Sequence, residues 1–122
     1  MDHVINGIKV TQQDIDDIMC AAFEGGITYW CYRAEVVGGY KGKYASEQIS
    51  RGGKVRLYDS VEDAVYELTL EDFLNGITKA IEENWYDNYD WHDGSSIDTC
   101  NVDAEVADTI IQLALFDEVV YG

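Results

Sequence analysis

The chain has 122 residues, 47% of them hydrophobic and 12% aromatic, with 24 acidic residues against 8 basic ones and a formal net charge of −16. This length and apolar content build one core and exclude wholesale disorder, so residues 1–122 read as a single domain. No apolar run reaches the roughly 18 residues of a membrane span, and the charge repels nucleic acid and anionic lipid at long range.

Taken in order, Ile8 and Val10 mark a short lead-in strand. Thr11 followed by Asp14 resembles a capping box, with aspartate in the usual glutamate position. Asp14, Asp16 and Asp17 crowd the first turns, where negative charge meets the positive end of the helix dipole. Ile15, Ile18, Met19 and Ala22 recur at helical spacing, which predicts a helix over 12–23 stopped by Gly25-Gly26. Residues 27–37 are rich in aromatic and β-branched side chains and predict one long strand, with Thr28, Trp30, Tyr32, Ala34 and Val36 on its apolar face. A glycine- and tyrosine-rich basic loop follows. Residues 45–51 fit a helical turn or a ragged strand equally well.

Residues 54–59 alternate cleanly, 60–63 make a turn, and 64–70 run back as the second arm of a hairpin. Thr69 caps a helix over 71–84 whose apolar stripe is Leu70, Phe73, Leu74, Ile77, Ile81 and Trp85. Gly76 in its middle costs roughly 1 kcal/mol relative to alanine. Residues 86–96 are polar, acidic and aromatic, the composition of an exposed loop. Asn101 or Asp103 caps a third helix running to Phe116, apolar on most sides and therefore the most buried. Residues 118–121 read as a last short strand. The sum is an α+β fold: an antiparallel sheet of about three to five strands with three helices packed mainly on one face.

The charges are unevenly distributed along the chain. Arg33, Lys41, Lys43, Arg51, Lys54 and Arg56 are six of the 8 basic residues. Glycine pairs at 38–39 and 52–53 let backbone N–H groups approach an anion, and Tyr40 and Tyr44 can stack on a base. Arg33, Tyr40, Lys41, Lys43, Tyr44, Arg51 and Arg56 are thus candidate ligands for a nucleotide, although no phosphate-loop or dinucleotide fingerprint is present. Solvated cations balancing nearby carboxylates are the plainer reading.

The second candidate is acidic and aromatic: Trp85, Tyr86, Asp87, Tyr89, Asp90, Trp91 and Asp93, together with Asp14, Asp16 and Asp17. Tryptophan and tyrosine dominate interface hot spots, so this set reads as a partner-contact surface. Asp87, Asp90 and Asp93 do not fit the calcium-loop spacing. Cys20, Cys31 and Cys100 are an odd, widely spaced set and read as free buried thiols. No metal site, cofactor or catalytic residue is assigned; His92 between Asp90 and Asp93 has no nucleophile placed beside it.

Three stretches carry a resemblance: residues 26–31 (GITYWC), 44–53 (YASEQISRGG) and 107–116 (ADTIIQLALF). With the pattern between them, they resemble a family of small acidic proteins of unknown function encoded by bacteriophages and bacterial mobile elements. The resemblance implies a phage-type setting, in which short accessory proteins often counter host defences. The expectation is a non-catalytic binding protein of the bacterial host cytoplasm. Its acidic surface would imitate nucleic acid toward a basic host partner such as a nucleic-acid-binding defence enzyme, as an anti-CRISPR-like inhibitor does. Direct nucleic-acid binding and membrane attachment are not expected. The alternatives are a nucleotide or signalling-nucleotide binder using residues 38–56, and a phage accessory protein that forms a homo-oligomer.

Overall fold

A computed structural model describes residues 2–85 and 91–122. The chain opens with a hairpin, β1 (His3–Ile5) and β2 (Ile8–Val10), joined by Asn6-Gly7. Both turn residues have positive φ, 50° and 81°, as a tight two-residue hairpin turn requires. Helix α1 (Gln12–Ala21) then starts on the anticipated capping box. Thr11 Oγ1 accepts from Asp14 N–H at 3.0 Å, and an Asp14 carboxylate oxygen accepts from Thr11 N–H at 2.8 Å. The helix leaves through one π-helical turn, Ala22–Gly26.

The long strand begins later than its composition implies. Residues 27–30 form a turn in which the N–H groups of Trp30 and Cys31 both donate to the Ile27 carbonyl. Strand β3 is therefore Cys31–Val37, and it pairs antiparallel with β4 (Lys54–Asp59), which pairs with β5 (Ala64–Leu68). The register slips between Cys31 and Arg33, so Tyr32 is a bulge residue and lies 65% exposed instead of on a buried face. Residues 45–51 resolve as two short 3₁₀ turns.

Helix α2 (Leu70–Glu82) is capped by Thr69, and α3 (Ala104–Phe116) by Asp103, whose carboxylate accepts from Val106 N–H at 2.9 Å. As its composition implies, α3 is buried without interruption from Val106 to Leu113. The fold is α+β. One face of the three-stranded sheet turns Val55, Leu57, Asp59 and Leu68 toward the helices, while Lys54, Arg56, Val65 and Glu67 stay exposed on the other. Among the described residues, no helix is long and apolar enough to cross a membrane.

Residues 118–121 form no strand. Gln112, fully buried on α3, takes the place of a strand partner. Its side-chain oxygen accepts from the N–H groups of Val120 at 2.7 Å and Tyr121 at 2.8 Å, and its amide nitrogen donates to the Tyr121 carbonyl. A side-chain amide carries both a donor and an acceptor, so it satisfies an extended backbone as a neighbouring strand would.

Gly76 has a packing role that helix propensity alone does not show. A Cβ built there would lie 2.5 Å from the Ile110 carbonyl oxygen and 2.9 Å from Ala114 Cβ. The glycine lets α2 and α3 meet backbone to backbone. Gly76→Ala should therefore lower stability by about 1–3 kcal/mol through overpacking, outweighing the roughly 1 kcal/mol gained in helix propensity. Urea denaturation reads this directly; a variant as stable as the parent would show that the two helices separate freely.

Candidate functional site

The basic loop folds around the chain's own polar side chains. Gln48, fully buried, accepts from Lys41 N–H at 2.7 Å and donates to the carbonyls of Lys41 and Tyr44, both at 2.8 Å. One Glu47 carboxylate oxygen accepts from the N–H groups of Lys43 at 2.6 Å and Tyr44 at 3.0 Å. Those two N–H groups, together with that of Lys41, are the donors an external phosphate would need, and an internal carboxylate and an amide already hold them. The Tyr44 and Lys43 amides, then the Arg51 and Lys43 charges, hold the Glu47 carboxyl below the usual glutamate range against a smaller opposing effect of burial.

The candidate cations do not converge. Arg33 and Arg56 lie on the outer face of the sheet and share Glu35, at 2.6 Å and 3.5 Å. Arg51 turns the other way, to Asp16 of α1 at 3.4 Å. Among the described residues, Lys41 and Lys43 form no ion pair, and Lys43 sits over the Tyr44 ring, 5.3 Å from its centre. Tyr40 and Tyr44 are exposed. A cavity of about 390 Å³ does border the loop, but Cys20, Phe23, Glu24, Tyr44, Ala45 and Ser46 line it. Its charged member is a glutamate. The arrangement offers an anionic ligand no cationic pocket.

The acidic set divides. Asp16 is only 8% exposed and accepts from Ser50 Oγ at 2.5 Å, which ties α1 to the 3₁₀ turn Ile49–Arg51. Trp91 is 1% exposed and donates its indole N–H to the Trp85 carbonyl at 3.1 Å. Both were expected on a contact surface, and both are buried instead: Asp16 is an internal anchor, and Trp91 belongs to the hydrophobic core. Trp85 is half-buried, its indole N–H on Glu83. Tyr86, Asp87, Tyr89 and Asp90 lie outside the described residues. Of the three thiols, all free, Cys31 alone is buried; Cys20 is half-buried and Cys100 exposed.

What remains gathers into one acidic region. The β1–β2 hairpin meets residues 91–103 through Lys9 N–H on the Ser95 carbonyl at 2.7 Å, and α1 meets them through Thr99 Oγ1 on Asp17 at 3.1 Å. Asp2, Asp14, Asp17, Asp93, Asp98 and Asp103 therefore lie on touching segments whose one lysine or arginine is Lys9, 3.7 Å from Asp2. Nearly all of these carboxylates are pinned by backbone donors. Asp93 accepts from the N–H groups and hydroxyls of Ser95 and Ser96, which hold its carboxyl down to about 2. Asp98 accepts from Cys100 N–H at 3.2 Å, and Asp14 and Asp103 cap helices. Asp2, Asp98 and Asp103 were not anticipated as surface members; the cap signal at Asp103 was visible, whereas nothing local placed Asp2 or Asp98 beside α1.

No protein-family model matches the chain, and neither a curated protein nor a solved structure matches it.

The Glu47 contacts make a checkable prediction. A carboxyl held below its ordinary range stabilises the loop above its unfolded value, near 4.3, and the stabilisation disappears as pH falls through the lower folded value. Glu47→Ala should speed hydrogen exchange at the amides of Lys43 and Tyr44 while leaving Val55 and Leu57 protected. In the parent protein, the same two amides should lose protection on acidification. Unchanged exchange in the variant would mean that Gln48 alone holds the loop.

Proposed function

We infer that the chain is a non-catalytic binding protein whose acidic region meets a basic, nucleic-acid-binding surface on a host protein. The observation that carries this reading is an imbalance in internal pairing. Of the 8 basic residues, Lys9, Arg33, Arg51, Lys54, Arg56 and Lys79 are held by carboxylates within the described residues. The 24 acidic residues outnumber the 8 basic ones threefold, a net charge of −16. A group of that excess stands in one region, as aspartates whose short side chains are already immobilised by caps and turns. Fixed charges lose little further freedom when a cationic surface docks, and a net charge of one sign steers such a surface inward.

The resemblance to phage and mobile-element proteins supports a setting in the bacterial host cytoplasm, and a defence enzyme that grips nucleic acid has the complementary chemistry. The nucleotide-binding alternative gains nothing from the geometry, because Glu47 occupies the loop amides, Glu35 already holds Arg33 and Arg56, and Arg51 turns away to Asp16.

The immobilised protein should capture basic, nucleic-acid-binding proteins from bacterial lysate at low ionic strength and release them at high salt or on addition of duplex DNA. Asp17→Asn, Asp98→Asn and Asp103→Asn keep a hydrogen-bond acceptor at each position while removing its charge. Combined, they should slow association with the captured partner at low salt by about tenfold. Capture indifferent to both salt and DNA would overturn the reading.

A further inference from the structure

We propose that the free edge of β3 pairs with the same edge of a second copy, joining two three-stranded sheets into one six-stranded sheet. The strand order is β3-β4-β5, so β3 is terminal, and among the described residues no strand pairs with its outer side. Such an edge offers a row of unpaired N–H and C=O groups to another strand. The usual protections are sparse here. The strand holds no proline, no charge points to its inner face, and its bulge at Tyr32 sits at the start, leaving Arg33–Val37 regular.

The choice of a second copy rests on charge. Cys31-Tyr32-Arg33-Ala34-Glu35-Val36-Val37 is nearly symmetric in character about Ala34, except that the two flanking charges are opposite. An antiparallel pairing centred on Ala34 sets Arg33 against Glu35 of the second copy and Glu35 against its Arg33. Moving the centre to Arg33 sets two guanidinium groups face to face, and moving it to Glu35 sets two carboxylates together. Opposite charges directly across a strand pair stabilise it and like charges do the reverse, so the sequence selects one register.

That register also suits the inner face. Ala34 points toward the helix side and is nonetheless exposed, so the helices stop short of this edge and leave room for a neighbour. A groove of about 130 Å³ lined by Phe23, Ile27, Cys31, Tyr32, Ala34 and the charged Arg33 borders this end of the strand. The contact lies on the basic stretch, away from the acidic region, and does not depend on the proposed function.

Sedimentation velocity across micromolar to millimolar protein should show the mass rising toward twice that of the chain. Arg33→Glu and Glu35→Arg each set like charges opposite one another in a homodimer, and each variant alone should remain monomeric while its circular dichroism stays that of the parent. Mixing the two variants restores opposite charges at both positions and should yield a heterodimer. The doubly exchanged variant, R33E with E35R, should again self-associate. A parent protein monomeric at every concentration overturns the proposal and leaves the edge to a strand of another protein. A parent dimer that R33E leaves intact overturns it too, because association then uses another surface. Should Glu35→Arg not fold, since Glu35 also holds Arg56 and Tyr58, Arg33→Glu alone still decides between these outcomes.

Discussion

Two buried carboxylates, neither paired with a cation among the described residues, hold the sheet to α3 and to the end of the chain. Asp108 of α3 accepts from the Tyr29 hydroxyl at 2.5 Å, the Trp30 indole N–H at 2.9 Å and the Gln112 amide at 2.9 Å. Asp59, at the end of β4, accepts from Val61 N–H, Glu62 N–H and the hydroxyls of Tyr66 and Tyr121. Burying a charge is costly, and several converging donors are what make it tolerable. Burial pushes the Asp59 carboxyl upward, yet the Tyr121 hydroxyl, the two amides and the Tyr66 hydroxyl together hold it below the ordinary range. The same contact raises the Tyr121 hydroxyl well above its usual value.

These two groups explain why the last residues stay down without a strand. Gln112 grips the backbone of Val120 and Tyr121, the Tyr121 hydroxyl reaches Asp59, and its ring stacks on Trp30 with 5.4 Å between ring centres. Trp30 is therefore clamped from both sides, by Asp108 at its nitrogen and by Tyr121 at its face. The turn 27–30 that precedes β3, closed by the Trp30 and Cys31 N–H groups on the Ile27 carbonyl, carries the indole into that clamp.

Much of this architecture was legible in the residues. Thr11 with Asp14, Thr69 with Asp72, and Asp103 announce helix starts because a cap is a local hydrogen bond, readable over a few positions. The hairpin of β4 and β5 is equally local. The misjudged residues are ones whose burial or partners their local composition does not announce. Trp91 has the composition of an exposed loop around it yet is 1% exposed, and Asp16 looks like surface until Ser50 and Arg51 arrive from 34 and 35 residues away. The basic loop reads as an anion cradle because its glycines and lysines are visible, while the carboxylate filling it, Glu47, looks like one acidic residue among 24.

The way the aspartates are held also limits what can bind them. Asp14 gives one oxygen to Thr11 N–H, and Asp103 gives one to Val106 N–H. Each then has one oxygen outside these bonds, fewer than the two-pronged grip of a guanidinium takes but enough for a compact ammonium group. A visitor demanding both oxygens would have to unpin the start of a helix, so tight capture and an intact first turn are in competition. Were a cationic surface to dock there, the bonds that begin these helices would favour lysine over arginine.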